Sequence, residues 1–156
     1  MLEDEPELDV IIVPVGGGTG AARACIVTDA ISPATRVIGV QSELSPAAYE
    51  SWLQHRLVTA ADHTFAEGLA TGTAFELPQT ILWSRLKDFM LVSDEEIKRA
   101  MVWMIERAHT LAEAAGASAL AAAYRLRPEL KGKKVGCVFW WQHVVGAPEA
   151  CFVSVK

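Results

Sequence analysis

Val10-Ile11-Ile12-Val13-Pro14-Val15-Gly16-Gly17-Gly18-Thr19-Gly20-Ala21-Ala22 decides the fold: an apolar, β-branched run breaks into a glycine cluster and then enters an alanine-rich segment. This order predicts a strand, a turn and a helix. Glycine has no Cβ and tolerates positive φ, so the backbone of such a turn can approach a ligand closely. The unpaired N–H groups of the first helical turn then point at that ligand, and a phosphate is the natural guest. The alternative is a tight strand-to-helix turn that binds nothing.

Outward from this stretch, strand-like runs fall at residues 10–15, 36–40, 89–92 and 134–139, with helical patterns between them. Residues 19–31 read as a helix stopped before Ser32-Pro33, because proline pushes its predecessor out of the α region. A strand, helix, strand order implies a parallel pair, so strands 10–15 and 36–40 are expected to be neighbours. Ser45 and Pro46 read as N-cap and first helical residue of a short helix over 46–54. Residues 68–73 are a glycine-containing turn, and 75–86 regains helical spacing. Ser93-Asp94-Glu95-Glu96 is a capping box that starts a helix at Asp94. Ile97, Met101, Met104, Ile105 and Ala108 in that helix recur at intervals of three and four, which predicts a core-facing stripe. Residues 113–126 are alanine-rich enough to pack tightly on a sheet, and Pro128 follows. The expected fold class is α/β, a three-layer αβα arrangement around a small, largely parallel sheet.

The 156 residues, 51% of them hydrophobic, suit one domain with a real core. A net charge of −5 argues against nucleic acid and against an acidic membrane surface as partners, since both require clustered cations. Lys131, Lys133 and Lys134 form the basic cluster and are expected to solvate a loop. Three scattered cysteines, Cys25, Cys137 and Cys151, make neither a disulfide framework nor a zinc site, which points to a reducing cytoplasm. No apolar run spans a bilayer, and the acidic start is unlike a signal peptide.

Several chemistries are weak or excluded. No Gly-Lys-Ser/Thr follows the glycines, so a Walker-type loop is ruled out. Gly16, Gly18 and Ala21 satisfy a dinucleotide fingerprint, with Glu43 downstream as the ribose acid, although the strand end itself carries Gln41. His55, His63, His109 and His143 lack metal-pair spacing. No serine-hydrolase elbow is present.

Taken together, Leu8-Asp9-Val10-Ile11-Ile12-Val13-Pro14-Val15-Gly16-Gly17-Gly18, Ala30-Ile31-Ser32-Pro33-Ala34-Thr35-Arg36-Val37-Ile38-Gly39-Val40, Ala66-Glu67-Gly68-Leu69-Ala70, Val92-Ser93-Asp94-Glu95-Glu96-Ile97 and Glu113-Ala114-Ala115-Gly116-Ala117-Ser118-Ala119 resemble the threonine dehydratase and serine racemase group of fold-type II pyridoxal-phosphate enzymes. The resemblance implies residues 1–139 to be part of a pyridoxal-phosphate-binding large domain. It implies that Gly16, Gly17, Gly18, Thr19 and Gly20 wrap the cofactor phosphate, with Thr19 departing from the family's glycine. Gly68 would lie against the ring and Glu113 near it. The family reaction is β-elimination of hydroxy amino acids, performed with a lysine in a Ser-x-Lys-x-Arg-Gly context that forms a Schiff base. None of Lys87, Lys98, Lys131, Lys133, Lys134 or Lys156 has that context, so no catalytic residue is assigned. The expectation is a truncated protein, inactive as an isolated chain, that begins inside the helix before the first strand. A cation site of some relatives matches Gln41 and Ala47, which are poor ligands, so no metal is expected.

After Phe139 the family reads Ser-Gly-Gly-Asn, whereas this chain reads Trp140-Trp141-Gln142-His143. Tryptophan has the single codon TGG, and another frame through these codons encodes Ser or Phe, Gly, Gly, then Asn or Ser. Residues 140–156 are therefore expected to be a divergent, frameshifted tail. The competing function is a non-catalytic module that holds a small phosphorylated ligand and self-associates into a homo-oligomer through uncovered apolar faces.

Overall fold

Every residue of β1 (Val10–Pro14) is buried, as a central strand covered on both faces requires. The computed structural model describes residues 1–139 and the backbone of residues 151–154. After β1 come α1 (Thr19–Ile31), β2 (Arg36–Ser42), α2 (Ala47–Gln54), a 3-10 turn (Glu67–Leu69), α3 (Glu76–Arg85), β3 (Asp88–Val92), α4 (Asp94–Ala108), α5 (Ala114–Arg125), β4 (Val135–Phe139) and β5 (Cys151–Ser154). The sheet order is β3-β2-β1-β4-β5. Strands β1 to β4 are mutually parallel, with Val10 opposite Arg36, Ile38 opposite Asp88, and Val10 opposite Val135. β5 runs antiparallel to β4. The expected pairing of the first two strands is therefore present. The tail assigned from residue 140 lies outside the described residues apart from the backbone of β5.

Alternation along the strands divides the core in two. Ile11, Val13, Val37, Phe89 and Val138 pack with Ala21, Cys25, Ala48 and Leu82 on the face covered by α1, α2 and α3. Val10, Ile12, Ile38, Val92 and Cys137 pack with Ile97, Ala100 and the alanines of α5 on the other. The result is three layers. Eight consecutive or near-consecutive small residues of α5, Ala115 to Ala119 and Ala121 to Ala123, are buried, so this helix lies close enough for the Cys137 thiol to meet the Ala119 carbonyl at 3.7 Å. Burial pushes the Cys137 thiol up to about 12 and the Cys25 thiol up to about 11, which keeps both protonated and inert near neutrality.

Two local readings need correction. Ser45 does not cap α2: its hydroxyl turns instead to the backbone of Thr71, and α2 begins at Ala47 without a capping side chain at Pro46. The missing acceptor comes from the sheet, where Gln41 Oε1 takes the Tyr49 N–H at 3.0 Å. The stripe of α4 is narrower than its spacing implies. Ile97, Ala100 and Met104 are buried, but Ile105 is 50% exposed, because α5 covers only one side of the helix.

The capping box at Ser93 forms as expected, with the Ser93 N–H donating to Glu96 Oε2 at 2.8 Å and the Glu96 N–H to Ser93 Oγ at 3.3 Å. Partial burial alone would raise the Glu96 carboxyl, but hydrogen bonds from Arg125 and Ser93 hold it below its usual 4.5. A depressed carboxylate stabilises the fold above its unfolded pKa, and that contribution is lost as pH falls through the folded value. Replacing Ser93 with Ala should therefore cost about 1 kcal/mol in urea unfolding at pH 7. Glu96→Gln should also flatten the loss of stability below pH 4.5, measured as the midpoint of acid unfolding.

Candidate functional site

Chain order reverses its direction across the sheet at β1. From β1 the chain steps to β2 and β3 on one side, then returns to place β4 on the other. In open α/β sheets such a reversal leaves a crevice at the carboxyl ends of the two central strands, and ligands bind there. The glycine loop leaves β1 at this point.

Gly18 adopts φ +87°, the left-handed region that glycine tolerates, and delivers the chain into α1. Helical bonding begins with the Ala22 N–H donating to the Gly18 carbonyl at 2.9 Å, so the Thr19, Gly20 and Ala21 N–H groups have no intrahelical acceptor. No side chain caps this end, and no acidic residue occupies its first turn. Thr19 is exposed, and Gly16, Gly17 and Gly20 are half-buried. This is an electropositive helix end open to an anion.

Gly16 and Gly68, which are far apart in sequence, meet here. A Cβ on Gly16 would stand 2.1 Å from the Gly68 carbonyl oxygen, so no side chain fits. A Cβ on Gly68 would stand 2.7 Å from the Ala115 Cβ and 3.5 Å from Glu113 Oε1. The glycine loop, Gly68 and Glu113 thus occupy one locality, with Glu113 at the N-cap position of α5 and half-buried. Thr71 Oγ1 donates to the Gly16 carbonyl at 3.4 Å, and the Thr71 N–H donates to Ser45 Oγ at 3.1 Å. Thr71 belongs to no sequence motif, and Ser45 reads only as a helix cap, because the partners that bring them to the glycine loop lie in other elements.

Other candidates are engaged elsewhere. Glu43 lies 3.6 Å from Arg125, an ion pair that directs it away from a ribose role. Gln41 is fully buried, its carbonyl already serves α2, and its Nε2 is a hydrogen-bond donor without an acceptor, a poor neighbour for a cation. His55 and His109 end α2 and α4 in left-handed conformations on the exposed surface, and His63 is exposed as well. His143 lies outside the described residues. Lys87 precedes β3, and Lys131, Lys133 and Lys134 precede β4, which places them at the amino ends of these strands. Lys134 is paired with Glu7 at 2.8 Å and Glu5 at 3.6 Å, so the basic cluster is partly neutralised. Lys98 is paired with Glu95 at 2.6 Å. Among the described residues, no helix is long and apolar enough to cross a membrane.

A glycine loop thus leads into an uncapped helix end at the reversal point of a largely parallel α/β sheet. Residues 1–140 match the family model described as pyridoxal-phosphate dependent enzyme, and the chain belongs to that family. It is 32% identical over 139 residues to the L-threonine ammonia-lyase of Thermotoga maritima, covering 88% of this chain and 34% of that protein. It is 35% identical over 123 residues to the catabolic L-threonine dehydratase of Escherichia coli strain K12, covering 78% of this chain and 37% of that protein. The crystal structure of serine racemase from Dictyostelium discoideum superposes with a TM-score of 0.78 at 31% identity, covering 86% of this chain and 43% of that one. The chain thus spans well under half the length of these relatives.

The close approach of Gly16 to Gly68 makes a sharp prediction. Gly16→Ala should destabilise the fold by about 1–3 kcal/mol or more in chemical denaturation, because the obstructing atom is backbone and cannot rotate away. Gly132→Ala, with open space around its Cβ but a φ of +78°, should cost about 1 kcal/mol.

Proposed function

We propose that this chain holds the phosphate end of pyridoxal phosphate in a threonine/serine dehydratase-like lyase. The convergence of residues 16–20 with Gly68 and Glu113 carries this reading. The residues suit the phosphate: the first-turn amides of α1 lack intrahelical acceptors, no carboxylate stands in that turn, and a Cβ on Gly18 would crowd Pro78 at 3.0 Å. When bound, the cofactor supplies an electron sink for the carbanion left when an amino acid loses its α-proton. The loop amides would donate to phosphate oxygens, and the exposed Thr19 hydroxyl would add a further donor. Gly68 would let a flat ring lie against backbone, with the Glu113 carboxylate beside it.

No described lysine supports a covalent role, since Lys87, Lys131, Lys133 and Lys134 lie at the amino ends of the strands and Lys98 is paired with Glu95. The 156-residue polypeptide by itself is therefore expected to bind without turning over, and the reaction would need a lysine from other polypeptide. Losing that group and its positioning removes on the order of 7 kcal/mol of transition-state stabilisation. The buried free thiols of Cys25 and Cys137 favour a reducing, cytoplasmic setting. A second reading, a self-associating module for another phosphorylated small molecule, draws support from exposed apolar side chains at Ile31 (59%), Leu77 (74%) and Leu111 (72%).

Titration with inorganic phosphate and with pyridoxal phosphate, followed by backbone amide NMR, should move the signals of residues 16–20 first; binding that leaves them still would refute the assignment. Oxo-acid release from threonine should be the same with and without the protein at equal cofactor. A protein-dependent rate, or the visible band that the cofactor gains on linkage to a lysine, would overturn the expected inactivity. Sedimentation velocity of the ligand-free chain tests the second reading, for which a monomer at micromolar concentration is the adverse result.

A further inference from the structure

Gly68 belongs to residues 55–75, a long connection between α2 and α3 whose regular structure is one 3-10 turn, Glu67–Leu69, and an isolated bridge from Thr59 to Thr73. Irregular connections of this length inside an ordered domain need explicit anchors. One end is held through Thr71, which bonds Ser45 and the Gly16 carbonyl. At the other end, three donors converge on a single carboxylate. Asp94 Oδ1 accepts the Ser42 and Thr64 hydroxyls, each at 2.7 Å, and Oδ2 accepts the Phe65 N–H at 3.1 Å. We propose that Asp94 is a positioning residue whose carboxylate fixes residues 64–69, and with them Gly68, against the glycine loop; its effect on ligand binding rests on the phosphate reading above.

The connectivity runs without a gap. Asp94 is the first residue of α4, which Ile97 and Ala100 anchor in the core. Ser42 ends β2, is fully buried, and also accepts the Leu44 N–H at 3.1 Å. Thr64 Oγ1 passes the constraint on by accepting the Ala66 N–H at 3.2 Å, and the Leu69 N–H closes the turn on the Ala66 carbonyl at 2.8 Å. Ala66 and Leu69 are themselves fully buried. One carboxylate therefore ties the end of β2, the start of α4 and the Gly68 turn. A carboxylate accepts from all three partners at once, whereas an amide of the same shape must turn its NH2 toward at least one of them.

That asymmetry supplies the test. Asp94→Asn keeps the shape and loses an acceptor, whereas Glu95→Gln removes the same charge from the same helical turn at an exposed residue that pairs with Lys98. On the full chain, hydrogen exchange at the amides of residues 65–69 should quicken about tenfold or more in Asp94→Asn and stay unchanged in Glu95→Gln. The affinity of inorganic phosphate, read from the amide shifts of residues 16–20, should fall about tenfold in the first and not in the second. Equal exchange in the two variants overturns the proposal, as does faster exchange with unaltered phosphate affinity. Failure of the unaltered chain to bind phosphate would instead sink the ligand reading, and the exchange comparison would then decide the clamp alone. Should Asp94→Asn not fold, Thr64→Val removes one hydroxyl arm and should quicken exchange at Ala66 while sparing the amides of α4.

Discussion

The carbonyl oxygen of Gly68 occupies the space that a side chain at residue 16 would need, and the rest of the site follows from that contact. Two backbones touching without side chains between them bring an irregular connection directly against the end of the central strand. The contact continues to a third element, because Gly68 in turn faces the methyl group of Ala115 at the start of α5. Gly16, Gly68 and Ala115 form a column of small residues, and enlargement at any level would push the others apart. Interiors packed to crystal-like density have little slack with which to absorb such a shift.

The same requirement accounts for the composition of α5. A helix lined by alanines can lie closer to a sheet than one carrying leucines, and this proximity lets its N-terminal end reach the Gly68 turn while its body covers β1 and β4. Its far end is secured differently, through the Arg125 guanidinium, which donates to Glu96 and to the Leu91 carbonyl at 2.7 Å. Apolar closeness at one end and charge-assisted bonds at the other hold one helix across the sheet. Partial exposure of Arg125 limits what the ionic end contributes, so burial of the alanine face is the larger effect.

Topology then turns this packing into a binding geometry. Because the strand order reverses at β1, the carboxyl end of this strand lies where open α/β sheets form a crevice. The glycine loop and the bare end of α1 open there, while the lysines that precede β3 and β4 lie at the amino ends of these strands. Among the described residues, no lysine that precedes a strand therefore lies at the end of the sheet where the glycine loop opens.

Features that depend on near neighbours were legible from the residues alone. The strand, loop and helix order at 10–31, the stop before Ser32-Pro33 and the capping box at Ser93 each rest on a few consecutive residues, and the structure bears them out. The ordered family segments also pointed to the pyridoxal-phosphate family. Tertiary structure decided the rest. Ser45 has the chemistry of a cap yet bonds Thr71, 26 residues away, and Gln41 supplies the α2 acceptor from a strand. Ile105 fits the helical stripe but faces solvent because no neighbour covers it. Asp94 looked like one acid of a capping box, although its three bonds reach residues 29, 30 and 52 positions away. Local periodicity and capping are set by bonds that close within a few residues, whereas these choices depend on which surfaces the folded sheet brings together.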